Sequence, residues 1–129
     1  MANFEFIKAP TTYEAIGPYT QAVVAGNMVF CSGQIPMDPK TREMRNGSIE
    51  EATRQVLSNM RGLLAGAGCG LTDVVKCTVF MVDLKEFAAM NAVYSDVFGP
   101  HRPARSTVQV AALPAGARVE IECIAVRQK

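Results

Sequence analysis

Val74 to Val82 is a nearly continuous apolar run rich in β-branched residues. Such a run reads as a central strand with neighbours on both edges, so the chain has to build a sheet around it. The surrounding periodicity supplies the other pieces. Phe4 to Lys8 alternates as a short strand, and Ile16-Gly17-Pro18-Tyr19 is a Gly-Pro turn delivering Tyr19 to the next strand. Gln21 to Ala25 and Met28 to Ser32 form a hairpin around Gly26-Asn27, and Gly33 to Pro36 with Asp38 to Thr41 reads as a loop. Ser48 and Glu51 make a capping box for a helix whose apolar stripe is Ile49, Ala52, Val56, Met60, Leu63 and Leu64, stopped by Gly66 and Gly68. Asp83 with Glu86 caps a second helix carrying Phe87, Met90, Tyr94 and Phe98, and the last two strands are Ala104 to Val110 and Arg118 to Val126. The order β-β-β-α-β-α-β-β, free of repeats and linkers, predicts one α+β domain over residues 1–129. Its sheet is antiparallel or mixed, with two helices on one face. If the other face is also apolar, only another subunit can cover it, so the pattern predicts oligomers.

Charge and cysteine usage narrow the function. Apolar residues make up 49% and charged residues 19% of the 129, enough for an ordinary core. The net charge is +1 with no Lys/Arg run, which argues against a nucleic-acid binder that neutralises phosphates along a basic stripe. No segment approaches the roughly eighteen apolar residues of a membrane span, and the first residues carry no signal or transit pattern, so a cytoplasmic protein is expected. Cys31, Cys69, Cys77 and Cys123 lack CxxC spacing and read as structural, reduced residues. His101 is the only histidine and reads as a solvated loop residue, so no metal site of usual type is expected.

The final pair of strands holds the most pointed chemistry. Side chains alternate along a strand, so Arg105, Thr107 and Gln109 share one face, and Arg118, Glu120 and Glu122 share one. With a hairpin turn centred on Leu113-Pro114, Thr107 falls opposite Glu120 and Arg105 opposite Glu122. The residues alone leave two readings open. Either Arg105 and Glu122 form a cross-strand ion pair, worth under about 1 kcal/mol if exposed, or the planar guanidinium awaits an anionic ligand. Asn91 lies beside the apolar stripe of the second helix, where a buried amide needs partners. Ser32-Gly33 ends a strand where glycine would let backbone approach a ligand. Glu120 and Glu122 have the spacing of a glycosidase pair, but the chain has no sugar cleft and no Trp to stack on a ring.

Six motifs in order then resemble a known family. They are Ile16 to Val23, Ser32 to Pro36, Asp73 to Phe80, Asn91 to Tyr94, Pro103 to Ser106, and Leu113-Pro114 through Val119 to Glu122. Together they resemble the reactive intermediate deaminase family, also called YjgF or Rid, over essentially the whole chain. The resemblance implies a chorismate-mutase-like α+β fold and a homotrimer with sites in clefts between subunits. It further implies hydrolysis of enamine and imine intermediates such as 2-aminoacrylate and 2-aminocrotonate to 2-keto acids and ammonia, without metal or cofactor. Carried over residue by residue, it makes Arg105 the carboxylate clamp and Glu120 the group holding the attacking water, helped by the backbone of Thr107. Tyr19 and Asn91 then line the cleft, and Ser32-Gly33 contact the ligand. Two departures stand out: Thr107 occupies a position where the best-known deaminases have cysteine, and the stretch from Asn91 to Arg105 is a few residues shorter than in typical bacterial members. The alternatives are a trimeric keto-acid-binding or chaperone-like protein without turnover, and a ribonuclease or translation inhibitor.

Overall fold

The computed structural model describes residues 3–10 and 12–128. Its elements follow the expected order: β1 (Phe4–Ile7), β2 (Ala22–Ala25), β3 (Met28–Gln34), α1 (Ile49–Gly66), β4 (Val74–Met81), α2 (Phe87–Phe98), β5 (Ala104–Gln109) and β6 (Val119–Val126). They make one six-stranded sheet in the order β1-β2-β3-β6-β4-β5. The β4–β5 pair is parallel and every other pair is antiparallel, so the sheet is mixed. β4 is paired on both edges, as its apolar run requires.

Both helices pack on one face. Ile49, Ala52, Val56, Met60, Leu63 and Leu64 are all buried, against Val29, Val79, Ile121 and Ala125 of the strands. Leu57 is fully buried in the same cluster. Leu57→Ala is therefore expected to cost about 2–5 kcal/mol of unfolding free energy, read from the midpoint of a urea transition. Three cysteines sit side by side in this core, since Cys31 pairs with Cys123 on β6 and Cys123 pairs with Cys77 on β4. All are free thiols. Burial pushes Cys77 up, and the adjacent Cys31 thiol together with burial does the same to Cys123, so both stay protonated and serve as small apolar residues.

The helix ends depart from expectation in detail. Ser48 Oγ accepts from Glu51 N at 3.1 Å, but the Glu51 carboxylate reaches one residue further back, to Gly47 N at 2.8 Å. Gly66 is the last helical residue and packs its bare Cα against Ala9, while Gly68 alone adopts a positive φ of 78° to end the helix. Asp83 caps a single 3-10 turn over Leu84–Glu86 that precedes α2, and Glu86 pairs with Arg118 at 3.0 Å instead of capping.

The opposite sheet face carries exposed apolar side chains, among them Phe4, Phe6, Phe30 and Val108. Nothing within the described residues covers it. None of the described helices is long and apolar enough to cross a membrane.

Candidate active site

The largest correction concerns the final hairpin. β5 and β6 do not pair, because β4 lies between them. The connection from Val110 to Arg118 arches over the end of β4, with Val110 N donating to Met81 O at 2.8 Å and Val82 N donating to Arg118 O at 3.2 Å. Arg105 therefore sits beside Cys77, which sits beside Cys123, and all three face the helices. Glu120 sits beside Phe80, and Phe80 beside Val108, on the open face. Arg105 and Glu120 thus point to opposite sides of the sheet, and Thr107, beside the buried Val79, points with Arg105. The expected oppositions of Thr107 to Glu120 and of Arg105 to Glu122 do not exist.

The candidate residues fall into two groups. Tyr19, Ser32, Gly33 and Glu120 line one cleft of about 520 Å³ on the open face, with Glu122 and Tyr13. Its walls are built by a buried amide network. The Gln21 side chain accepts from Ala9 N at 2.6 Å and donates to Tyr13 O at 2.6 Å, which ties down the segment before β2. Tyr13, Ile35 and Ala117 form a small satellite core beneath the cleft, and Tyr13 OH accepts from Ile35 N at 3.0 Å. Burial pushes the Tyr13 phenol up to about 12, so it stays neutral. Ser32 Oγ donates to Thr20 O at 2.6 Å, fixing the strand to the Tyr19 loop.

Gly33 also has a use that the sequence does not announce. The β3–β6 ladder loses its register between Cys31 and Gln34, and a Cβ on Gly33 would stand 2.0 Å from Glu120 Oε2 and 2.7 Å from its Cδ. The glycine makes room for the Glu120 carboxylate rather than for a ligand alone. Gly33→Ala is expected to leave the fold intact but swing that carboxylate out of the cleft. A crystal structure and an activity assay of the variant would test this, and unchanged activity with Glu120 in place would refute it. Burial first, and the neighbouring Glu122 charge second, raise the Glu120 pKa above the ordinary glutamate value.

The second group is Arg105, Thr107 and Asn91. The Arg105 guanidinium lies 4.8 Å from the Tyr94 ring centre and 5.6 Å from that of Phe87, both on α2. Asn91 lies between those two residues on the helix. Among the described residues Arg105 makes no ion pair, which removes the Arg105–Glu122 reading, whereas Arg42, Arg45, Arg54, Arg118 and Arg127 each meet a carboxylate, Arg118 at Glu86. Asn91 Oδ1 and Thr107 Oγ1 are buried here without hydrogen-bond partners among the described residues, and the Tyr94 hydroxyl meets the Cys77 thiol. His101 is not a solvated loop residue: its Nε2 donates to Val74 O at 2.7 Å, and its ring packs near Phe98. No group of His, Cys, Asp and Glu suited to a metal ion occurs among the described residues.

The family described as Endoribonuclease L-PSP matches residues 7–127. The chain belongs to this YjgF/Rid family. A RutC family protein of Pyrococcus horikoshii is 48% identical to this Rid protein, covering 96% of this chain and 98% of the relative. The human 2-iminobutanoate/2-iminopropanoate deaminase is 45% identical, over 88% of this chain and 82% of the relative. E. coli TdcF, solved with bound serine, shares 43% identity and a TM-score of 0.92, over 96% of this chain and 99% of that one. The names of these Rid proteins differ, so the reaction has to be argued from the residues.

Proposed function

We propose that this chain is a 2-iminobutanoate/2-iminopropanoate deaminase, hydrolysing 2-imino acids and their enamine forms to 2-keto acids and ammonia. The observation that carries this reading is a pair of complementary charged groups, each without a partner among the described residues. Arg105 is a cation with no counter-ion, and Glu120 is a half-buried carboxylate with no hydrogen-bond donor among the described residues. A 2-imino acid fits both. Its carboxylate takes the guanidinium fork bidentately, which fixes the C=N carbon. Glu120, whose pKa burial and the Glu122 charge raise above the ordinary glutamate value, accepts a proton from water as it attacks that carbon. The proton taken by Glu120 passes to the imine nitrogen to complete the carbinolamine, whose hydroxyl proton then moves to that nitrogen as the C–N bond breaks, releasing ammonia and leaving the keto acid.

Because the two groups point to opposite sides of one sheet, this reading requires a second copy of the chain. In the homotrimer proposed here, with the chorismate-mutase-like arrangement that the motifs imply, one protomer supplies the Arg105 corner and its partner the Glu120 cleft. The exposed apolar sheet face supports it, since burying Phe4, Phe6, Phe30 and Val108 favours association. Tyr19 and Asn91 line the composite cleft in this reading. The Thr107 carbonyl assists the water, so threonine in place of cysteine leaves the chemistry intact.

The test couples a serine or threonine dehydratase to the purified protein and follows keto-acid release while semicarbazide competes for the imine. Acceleration by the wild type supports hydrolysis. Keto-acid binding without acceleration would make the protein a binding module, a second reading favoured by the serine bound to E. coli TdcF. RNA cleavage finds little support, because the single histidine is committed to Val74 O and the net charge is only +1.

A further inference from the structure

We infer that Phe87 and Tyr94 are positioning residues whose ring faces aim the Arg105 guanidinium and leave its N–H donors free for a carboxylate. The inference rests on the reading of Arg105 as a carboxylate receptor and goes beyond it by saying what holds that receptor in place.

A half-buried guanidinium needs electrostatic compensation, and proteins usually supply it with a carboxylate. Among the described residues Arg105 has none. The neighbours of Arg105 across the sheet and along its strand are Cys77 and Thr107, and the facing stripe of α2 is Phe87, Asn91 and Tyr94. Glu86, one residue before Phe87, is already spent on Arg118 at 3.0 Å. What remains is the negative face of two aromatic rings, at 4.8 Å for Tyr94 and 5.6 Å for Phe87. A carboxylate partner would occupy the edge of the guanidinium, where its N–H groups are. Rings stabilise it through its flat face and leave that edge open.

Each ring is placed to do this. Phe87 is 39% exposed in the first turn of α2, with its ring under the guanidinium at 5.6 Å. Tyr94 stacks its ring 4.6 Å from that of Phe98 and turns its hydroxyl to the Cys77 thiol, so only the ring face meets Arg105.

The experiment measures the Kd of 2-oxobutanoate by NMR titration of the full chain, and KM and kcat for 2-iminobutanoate generated by a threonine dehydratase. The variants are Phe87→Leu, Tyr94→Phe, Arg105→Ala and the double variant Phe87→Leu/Arg105→Ala. Phe87→Leu keeps an apolar side chain but loses the ring, and is expected to raise Kd and KM about three- to tenfold, the usual scale of a cation–π contact, with kcat within about twofold. Tyr94→Phe, which keeps the ring, is expected to bind as the wild type does. On the Arg105→Ala background, where the initial-rate slope kcat/KM is the readout because binding no longer saturates, Phe87→Leu is expected to add nothing, since there is no cation left to aim. Wild-type affinity in Phe87→Leu overturns the inference. So does an equal further loss in the double variant, which would make Phe87 a packing surface for the ligand. If this pattern appears but imine hydrolysis is never accelerated, the hydrolytic reading fails and the aiming role stands. If hydrolysis is accelerated and Phe87→Leu changes nothing, only the aiming role fails.

Discussion

Glu120→Gln is expected to lower kcat for imine hydrolysis by about 10²–10⁴-fold while keto-acid affinity changes little, the pattern of a lost general base. The amide keeps the size and hydrogen-bonding reach of the carboxylate beside Gly33, so the cleft keeps its shape and only proton acceptance is lost. The wild-type pH profile gives a second handle. Glu120 has to be ionised to take a proton from water, and burial followed by the Glu122 charge raises its pKa. The acidic limb of kcat should therefore lie above the range of an exposed glutamate, about 4.3, and disappear in Glu120→Gln. Stability moves in the opposite sense. A carboxyl whose folded pKa is raised favours the folded state when protonated, and that contribution is lost as pH rises through the folded pKa. Glu120→Gln should accordingly be more stable than the wild type at pH 7 and gain little at pH 4, which thermal melts at the two pH values would read. Equal rates for the two proteins would remove Glu120 from the mechanism.

Arg105→Ala is expected to act on binding. Losing a bidentate, charge-assisted contact should lower kcat/KM about 10²-fold or more and abolish saturable keto-acid binding in the low millimolar range. The fold should tolerate the change, because Arg105 makes no ion pair among the described residues and lies on the edge strand β5. Retained affinity for 2-oxobutanoate in a folded Arg105→Ala protein would show that the carboxylate is held elsewhere.

Local pattern carried most of the fold. The apolar stripe of α1, the Gly26-Asn27 hairpin and the β-branched run of β4 each encode their element within a few residues, and the motif order carried the family. The pairing of the last strand did not follow from local pattern. Two consecutive strands joined through Leu113-Pro114 suggest a hairpin, yet β4-α2-β5 is a β-α-β unit, whose crossover helix makes its strands parallel neighbours and leaves β6 to pair elsewhere. Reading that unit first would have put Arg105 on the helix side. The roles of Phe87 and Tyr94 were hidden for a related reason. At helical spacing they look like core, and only the position of β5 next to α2 reveals a cation above them. The fit of Glu120 against Gly33 depends on a register irregularity in β3 that no residue type announces.

The strand order also bears on how the chain acquires its structure during synthesis. β6, the last of the six sheet strands to be synthesised, lies between β3 and β4, so until it emerges the β1–β3 meander and the β4–β5 pair share no strand edge. Each nascent half then exposes an unpaired edge next to apolar side chains, the combination that invites wrong partners. The sheet can close only once β6 is present, and the Glu120 cleft needs the same strand, because β6 carries the glutamate. A chain truncated before β6 would have neither a continuous core nor half of its candidate site, so possession of the cleft is itself a report that folding is complete.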